Sequence, residues 1–218
     1  MGVPRFAWRR TSGTIVLLAL LSACQSLAPN APGEITRDNW LASGRIALQS
    51  TSELDGQVRA ESVRFEWEQH QEQYRIDLSG SFGLGRTSIV GKPSSVQLFR
   101  GKELIATAAS ADDLLYQQTS LELPVAQLRY WALGLASADE NLKTTDSCAI
   151  PEQCSLDPIL SGDWSIQYPD TMLVDGNVLP AKILATRTGL RLVIRLSAWS
   201  SAAAEIPLPG TTSASSNQ

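Results

Sequence analysis

Apolar and polar residues alternate with a period of two through most of the chain between residues 37 and 200. Ile46 and Leu48 alternate with Arg45, Ala47 and Gln49, and Val63, Phe65 and Trp67 with Arg64, Glu66 and Glu68. Tyr74, Ile76 and Leu78 follow the same rule, as do Val96 and Leu98, then Trp164, Ile166 and Tyr168. Leu190, Leu192, Ile194 and Leu196 alternate with Arg191 and Arg195 near the end. Successive side chains of a strand point to opposite faces, so each of these segments reads as a strand with one apolar and one wet face. The turn signals HQEQ, GKPSS, RGKE and TRTG fall between them at hairpin spacing, which predicts an antiparallel meander.

Two segments depart from this period. SADDLLYQQ opens with Ser110 three residues before Asp113, a cap that precedes Leu114 and Leu115. LPVAQLRYWALG sets Pro124 at a helix start, Leu128, Trp131 and Leu135 at helical spacing, and Gly134 near the end. The pattern therefore predicts a mainly β (α+β) fold of roughly ten short strands with two or three short helices. A long sheet with one apolar face needs a second sheet, closure or a cover. Helices too few to cover it leave an apolar cleft.

A glycine-rich stretch, LSGSFGLG at residues 78–85, follows one of the strands and carries Phe82 and Leu84 among Gly80, Gly83 and Gly85. Such connections run over the surface. An apolar tip there points to a contact other than water.

The ends of the chain read differently. Arg5, Arg9 and Arg10 precede an apolar run from Ile15 to Leu21, which has the length of a signal-peptide core. Leu21-Ser22-Ala23-Cys24 then resembles a bacterial lipobox, whose cysteine is lipidated after cleavage of residues 1–23, and Gln25 in place of aspartate implies sorting to the outer membrane. Residues 24–36 read as the lipidated cysteine and a flexible tether, 37–200 as one folded domain, and 201–218 as a disordered C-terminal tail.

Charge and composition narrow the function. The 218 residues hold 18 Lys and Arg against 22 Asp and Glu. Loss of residues 1–23 removes three arginines and no acid, leaving 15 against 22 and a formal charge of −7. This excludes a nucleic-acid binder and argues against electrostatic adsorption to an anionic membrane. With Cys24 acylated, Cys148 and Cys154 remain, an even number that favours a disulfide as a structural staple.

Catalytic motifs are missing. The single histidine, His70, falls in a predicted turn and reads as a solvated loop residue. No nucleophile elbow, P-loop or dinucleotide loop occurs, and neither Asp112-Asp113 nor Asp139-Glu140 has the setting of a catalytic carboxylate pair. The chain reads as no enzyme, with no metal and no cofactor. Trp40, Trp67, Trp131, Trp164 and Trp199, spread over the domain, read one at a time as core packing.

Trp40, GRIAL, FEW at 65–67, YRIDLSG, LPVAQLRYWALG, DWSIQY, LPAKI and LRLVIRLSAW, in this order from Trp40 to Trp199, together resemble the LolB family of outer-membrane lipoproteins. The resemblance implies an open, strongly curved antiparallel sheet, an unclosed half-barrel with helices over a hydrophobic cavity. It implies a monomer that accepts lipoproteins from a LolA-type periplasmic carrier, binds their acyl chains and delivers them to the inner leaflet of the outer membrane. It also implies a protruding loop with an apolar tip. Phe82 stands where the family has leucine, Ser81 where it has proline, and Leu84 is an additional apolar residue, so either Phe82 or Leu84 is the membrane-active side chain.

Strand parity and the helix then nominate Ile46, Leu48, Phe65, Trp67, Ile76, Leu78, Leu98, Leu128, Trp131, Ile166, Leu192 and Ile194 as the acyl-chain cavity. The stretch from Lys143 to Leu160 is longer than the family's connection and reads as a stapled surface insertion. Two other readings are an assembly lipoprotein that docks a protein partner on a closed face, and an envelope hydrolase, which lacks a nucleophile.

Overall fold

The computed structural model describes residues 34–52, 55–80, 86–150 and 153–202. Ten strands form, six of them on the alternating segments (β1, β2, β3, β5, β8 and β10): β1 (Asn39–Thr51), β2 (Val58–His70), β3 (Gln73–Gly80), β4 (Thr87–Lys92), β5 (Ser95–Arg100), β6 (Glu103–Ala108), β7 (Ile159–Ser161), β8 (Trp164–Val174), β9 (Asn177–Arg187) and β10 (Leu190–Ser200). Between β6 and β7 lie α1 (Ala111–Thr119), α2 (Val125–Trp131) and a short 3-10 turn, Thr145–Ser147. Five of the strands are not short: β1 and β2 run for 13 residues each, β8, β9 and β10 for 11.

All pairings are antiparallel and form one sheet in the order β6-β5-β4-β3-β2-β1-β10-β9-β8-β7. It is not closed, since β6 and β7 are its two edges. The meander is thus double: β1–β6 run out one way, β7–β10 return from the other, and the first and last strands join them. Leu41 to Ser50 pair with Ser200 to Leu190 across that seam, with a bulge at Ser43/Gly44.

Because the connections of a continuous antiparallel sheet alternate between its two ends, two rims result. The β1–β2, β3–β4, β5–β6, β7–β8 and β9–β10 connections share one rim. Thr51 N–H donates to Gly189 O at 2.8 Å and Gly101 N–H to Arg86 O at 3.1 Å, tying neighbouring tips together there. On the opposite rim lie the β2–β3, β4–β5 and β8–β9 turns and the entry of the chain, where Gln71 N–H donates to Asp38 O at 2.6 Å.

The core fills that second rim with aromatic rings. Trp199, Trp40, Trp67 and Tyr74, from β10, β1, β2 and β3 in sheet order, form a row with centroid separations of 5.5, 5.2 and 6.5 Å. Rings at these distances and tilts add edge-to-face attraction to their burial. The row ends where the Tyr74 ring covers Gly91 of β4. A Cβ at Gly91 would stand 2.1 Å from that ring, so only glycine fits beneath it. Trp131 of α2 meets Trp164 of β8 at 6.0 Å and fastens the helix to the other wing of the sheet.

His70, expected in a solvated turn, is the last residue of β2, half-buried between Asn39 and Gln73. Only Gln71 and Glu72 lie between β2 and β3, two residues fewer than HQEQ, and buried Gln69 braces the turn, its amide donating to Gln71 O at 2.6 Å and Gln73 O at 3.2 Å. Leu135, expected on the second helix, lies beyond it. Gly134 takes φ +77°, its N–H donates to Trp131 O at 3.1 Å, and Leu135 N–H reaches Tyr130 O at 3.0 Å. That pair of bonds is a Schellman stop, which turns Leu135 back into the core.

Candidate functional site: an apolar cavity under two helices

The helices cross the concave face of the sheet, and each has a local reason for its position. Ser110 caps α1, accepting from Asp113 N–H at 3.1 Å while its hydroxyl donates to the Asp113 carboxylate at 2.7 Å. The residue at the α2 cap position, Pro124, has no side-chain acceptor. Asp112 of α1 supplies one instead, its Oδ1 accepting from Val125 N–H at 2.9 Å and Ala126 N–H at 3.3 Å. A carboxylate beside free N–H groups and the positive end of a helix satisfies both. Arg187 of β9 holds the corner between the helices, donating to Glu122 O at 3.0 Å while pairing with the Glu122 and Asp163 carboxylates at 3.5 and 3.3 Å.

Beneath this cover lies a cavity of about 420 Å³. Its walls are Ile46 and Leu48 of β1, Val63 and Trp67 of β2, Ile76 and Leu78 of β3, Ile89 of β4 and Leu192 of β10. Ala111, Leu115, Leu121, Leu123, Val125 and Leu128 form the roof. Polar groups are confined to one end: Ser50, Arg59, Glu61, Ser79, Thr87, Gln118 and Thr119. Most of the strand residues among these are at the tip-rich rim, so the cavity runs from the aromatic row to a polar mouth at that rim. An apolar interior with a few polar groups at one end fits an amphipathic molecule with its apolar part inside.

Two phenols packed into the core outside the cavity lining are kept neutral. Burial, with the nearby Asp112 carboxylate, pushes the Tyr74 phenol up to about 12. The Tyr168 phenol is raised by burial and by Glu140. Among the described residues no cluster of His, Cys, Asp and Glu could hold a metal ion. A second depression of about 410 Å³, on the outer side of the helices, is lined by Asp112, Asp113, Glu122 and Arg187 together with Tyr116 and Trp164. Its charges are already engaged in holding the helices.

The family model described as outer membrane lipoprotein LolB matches residues 38–199, the whole sheet with both helices. The chain belongs to the LolB family. Among its LolB relatives, the outer-membrane lipoprotein LolB of Halorhodospira halophila is 32% identical over 206 residues, covering 90% of this chain and 97% of that one. The LolB of Chromohalobacter salexigens is 31% identical, covering 85% and 87%. Among solved structures, a LolA superfamily protein from Nitrosomonas europaea aligns over 78% of this chain and 88% of its own, with a TM-score of 0.47 and 11% identity.

Seven of the twelve residues nominated from the LolB resemblance and strand parity line the cavity: Ile46, Leu48, Trp67, Ile76, Leu78, Leu128 and Leu192. Phe65, Leu98, Trp131, Ile166 and Ile194 do not; each is buried in the surrounding core. Parity assigns a side chain to the concave face, but the cavity occupies only part of that face. Val63 and Ile89 were missed although they lie on that face, and Leu115, Leu121 and Leu123 because the roof was not readable as one surface. Cys148 and Cys154 are joined, with Cα atoms 5.7 Å apart. Cys24, Gln25, Phe82 and Leu84 lie outside the described residues, as does most of the C-terminal tail.

Among the described residues no helix is long and apolar enough to cross a membrane.

Proposed function

We propose that this LolB-family protein accepts lipoproteins from a LolA-type carrier, holds their acyl chains in the cavity and inserts them into the inner leaflet of the outer membrane. In this reading Cys24 carries the protein's own lipid, Gln25 directs it to the outer membrane, residues 24–36 tether the domain, and Phe82 or Leu84 enters the bilayer at delivery. The observation that carries it is the apolar cavity, whose volume falls within the ~300–1,000 Å³ of sites that enclose small ligands. Each buried methylene is worth ~0.8 kcal/mol, so acyl chains move between apolar compartments without a nucleotide if each binds more tightly than the last. Nothing in this process requires a reacting group.

The test has two stages. A fluorescent fatty-acid probe should bind the purified protein, and Leu48→Trp, which fills the cavity, should weaken it at least about tenfold at the scale of one lost or blocked apolar site. Cargo on loaded carrier should then pass to the protein. Phe82→Glu should leave that acceptance intact while delivery to liposomes fails. A protein that neither binds the probe nor takes cargo from a competent carrier overturns the proposal and favours an assembly lipoprotein.

A further inference from the structure

The cavity lies on the concave face of the sheet, and the middle of the convex face carries a row of like charges. Arg45 of β1 pairs with Arg64 of β2 on one side and with Arg195 of β10 on the other, and Arg195 pairs with Lys182 of β9. Residues directly opposed in a sheet share a face, so four cations stand side by side across four adjacent strands. Ile46 and Val63, next in sequence to Arg45 and Arg64, line the cavity, which puts the row on the opposite face. The three arginines are exposed and Lys182 is half-buried.

Like charges directly opposite one another destabilise a sheet, so the row works against the fold that holds it. Among the described residues none of the four takes part in an ion pair or a side-chain hydrogen bond. The acids nearest to them stand at the margins. Asp170 is opposite Lys182, Glu66 is two residues along β2 from Arg64, and Asp77 is held by Arg75 at 3.0 Å. Arg45 and Arg195 have no acid directly opposite or two residues along their own strands. Beside the row runs a half-buried apolar strip in which Ala47 pairs with Val193 and Val193 with Leu184.

We infer that this row is a docking surface for the acidic face of an α-helix of a partner protein, laid across the strands. Strands stand ~4.8 Å apart, so the four cations span about 14 Å. Helix residues i, i+3, i+7 and i+10 share one face and rise by ~5 Å per step on average, which matches that interval. An extended segment does not match, because its same-face residues are ~6.6 Å apart. Guanidinium groups pair with carboxylates in a two-pronged geometry, and the strip of Ala47, Val193 and Leu184 meets the apolar flank of the same helix. Those apolar side chains are half-buried beside exposed arginines and do not reach into a bilayer. The row is on the face opposite the cavity, so this docking does not depend on the proposed delivery function.

The experiment uses the chain from residue 24 onward with Cys24→Ala, so that no lipid anchors it. Every residue of the core lies between Ile35 and Trp199, so this chain keeps the whole fold. The probe is a fluorescent alanine-based helical peptide with glutamates at i, i+3, i+7 and i+10 and leucines along one flank of that stripe. A second peptide of the same composition has its glutamates distributed around the helix. The first should bind at least about tenfold more tightly than the second, and its binding should weaken as salt rises from about 0.05 to 0.5 M. Arg45→Gln/Arg195→Gln should lose that binding by at least about tenfold. Its urea midpoint should be no lower than that of the unaltered chain, because like-charge contacts have been removed.

If the double variant fails to fold by circular dichroism, the peptide comparison and the salt series on the unaltered chain decide alone. Equal binding of the two peptides, binding insensitive to salt, or no binding overturns the inference. Binding to phosphatidylglycerol vesicles in place of the peptide, lost in the double variant, gives the row to a membrane and overturns it as well. The fatty-acid probe run in parallel separates this inference from the cavity reading. Probe binding without peptide binding removes the docking row alone, and peptide binding without probe binding removes the cavity reading alone.

Discussion

Tyr74 stands at the end of the aromatic row with its phenol buried beside Asp112, and both features keep it protonated. Tyr168 is held neutral in the same way. A folded-state pKa raised above the unfolded value of about 10 contributes stability that is complete below pH ~10 and is lost as pH rises through the folded value. The urea midpoint should therefore be flat from pH 8 to about 10 and fall between pH ~10 and ~12. Tyr74→Phe should make that fall shallower. A midpoint that drops equally in the variant, or that rises with pH in this window, contradicts the assignment. Gly91 adds a steric condition, because any side chain there displaces the Tyr74 ring.

At the level of elements, the cover of the cavity depends on a cap borrowed from a neighbouring helix. Asp112→Ala leaves Ala126 N–H of α2 without its acceptor and Val125 N–H with Leu123 O alone, and should cost about 0.5–2 kcal/mol in urea unfolding with a matching loss of probe affinity as the roof loosens. Unchanged stability shows the bonds to be dispensable. This contact was not legible in the sequence, where Asp112 and Val125 are 13 residues apart and Pro124 looked like a sufficient helix start. The strands were legible wherever one face is wet: alternation put Ile46, Leu48, Trp67, Ile76, Leu78 and Leu192 on apolar faces, and the family resemblance made that face a cavity wall. β4 was not, because Thr87 to Gly91 are buried in succession and leave no period to read. Ser88 on its outer face donates to Asp77, which also pairs with Arg75 at 3.0 Å, so polar side chains cover what alternation would assign to water.

At the largest scale, the described domain is a half-barrel packed with aromatic rings at one rim and hollow at the other. The segment from Lys143 to Leu160 belongs to the packed side. Val178 N–H donates to Lys143 O at 2.7 Å, Thr145 N–H to Gly176 O at 3.0 Å, and the Thr171 hydroxyl to Cys154 O at 3.2 Å, fastening it to the β8–β9 hairpin. Leu156 packs against Gly134, below the end of α2. Opening the Cys148–Cys154 bridge frees a loop of separation 6 in the unfolded chain, so Cys148→Ser/Cys154→Ser should lower stability by about 2 kcal/mol. Probe binding should persist, since neither cysteine lines the cavity. The open sheet was legible as an excess of strands over helices, but the position of the hollow was not. Phe65, Leu98, Ile166 and Ile194 share the parity of the cavity walls, and only the packing of rings and helices around them decides which stretch of the face stays empty.

The seam between β1 and β10 sets the order in which the sheet can be built. Leu41 meets Ser200, so the strand made first has one finished edge, against β2, and one that waits for nearly the entire domain to be synthesised. Such distant pairing makes folding slow and leaves a long hydrogen-bonding edge open to other chains meanwhile. A nascent chain stopped before Leu190 therefore carries its apolar concave face with the middle of the sheet missing, the form in which this protein is most exposed to aggregation and proteolysis.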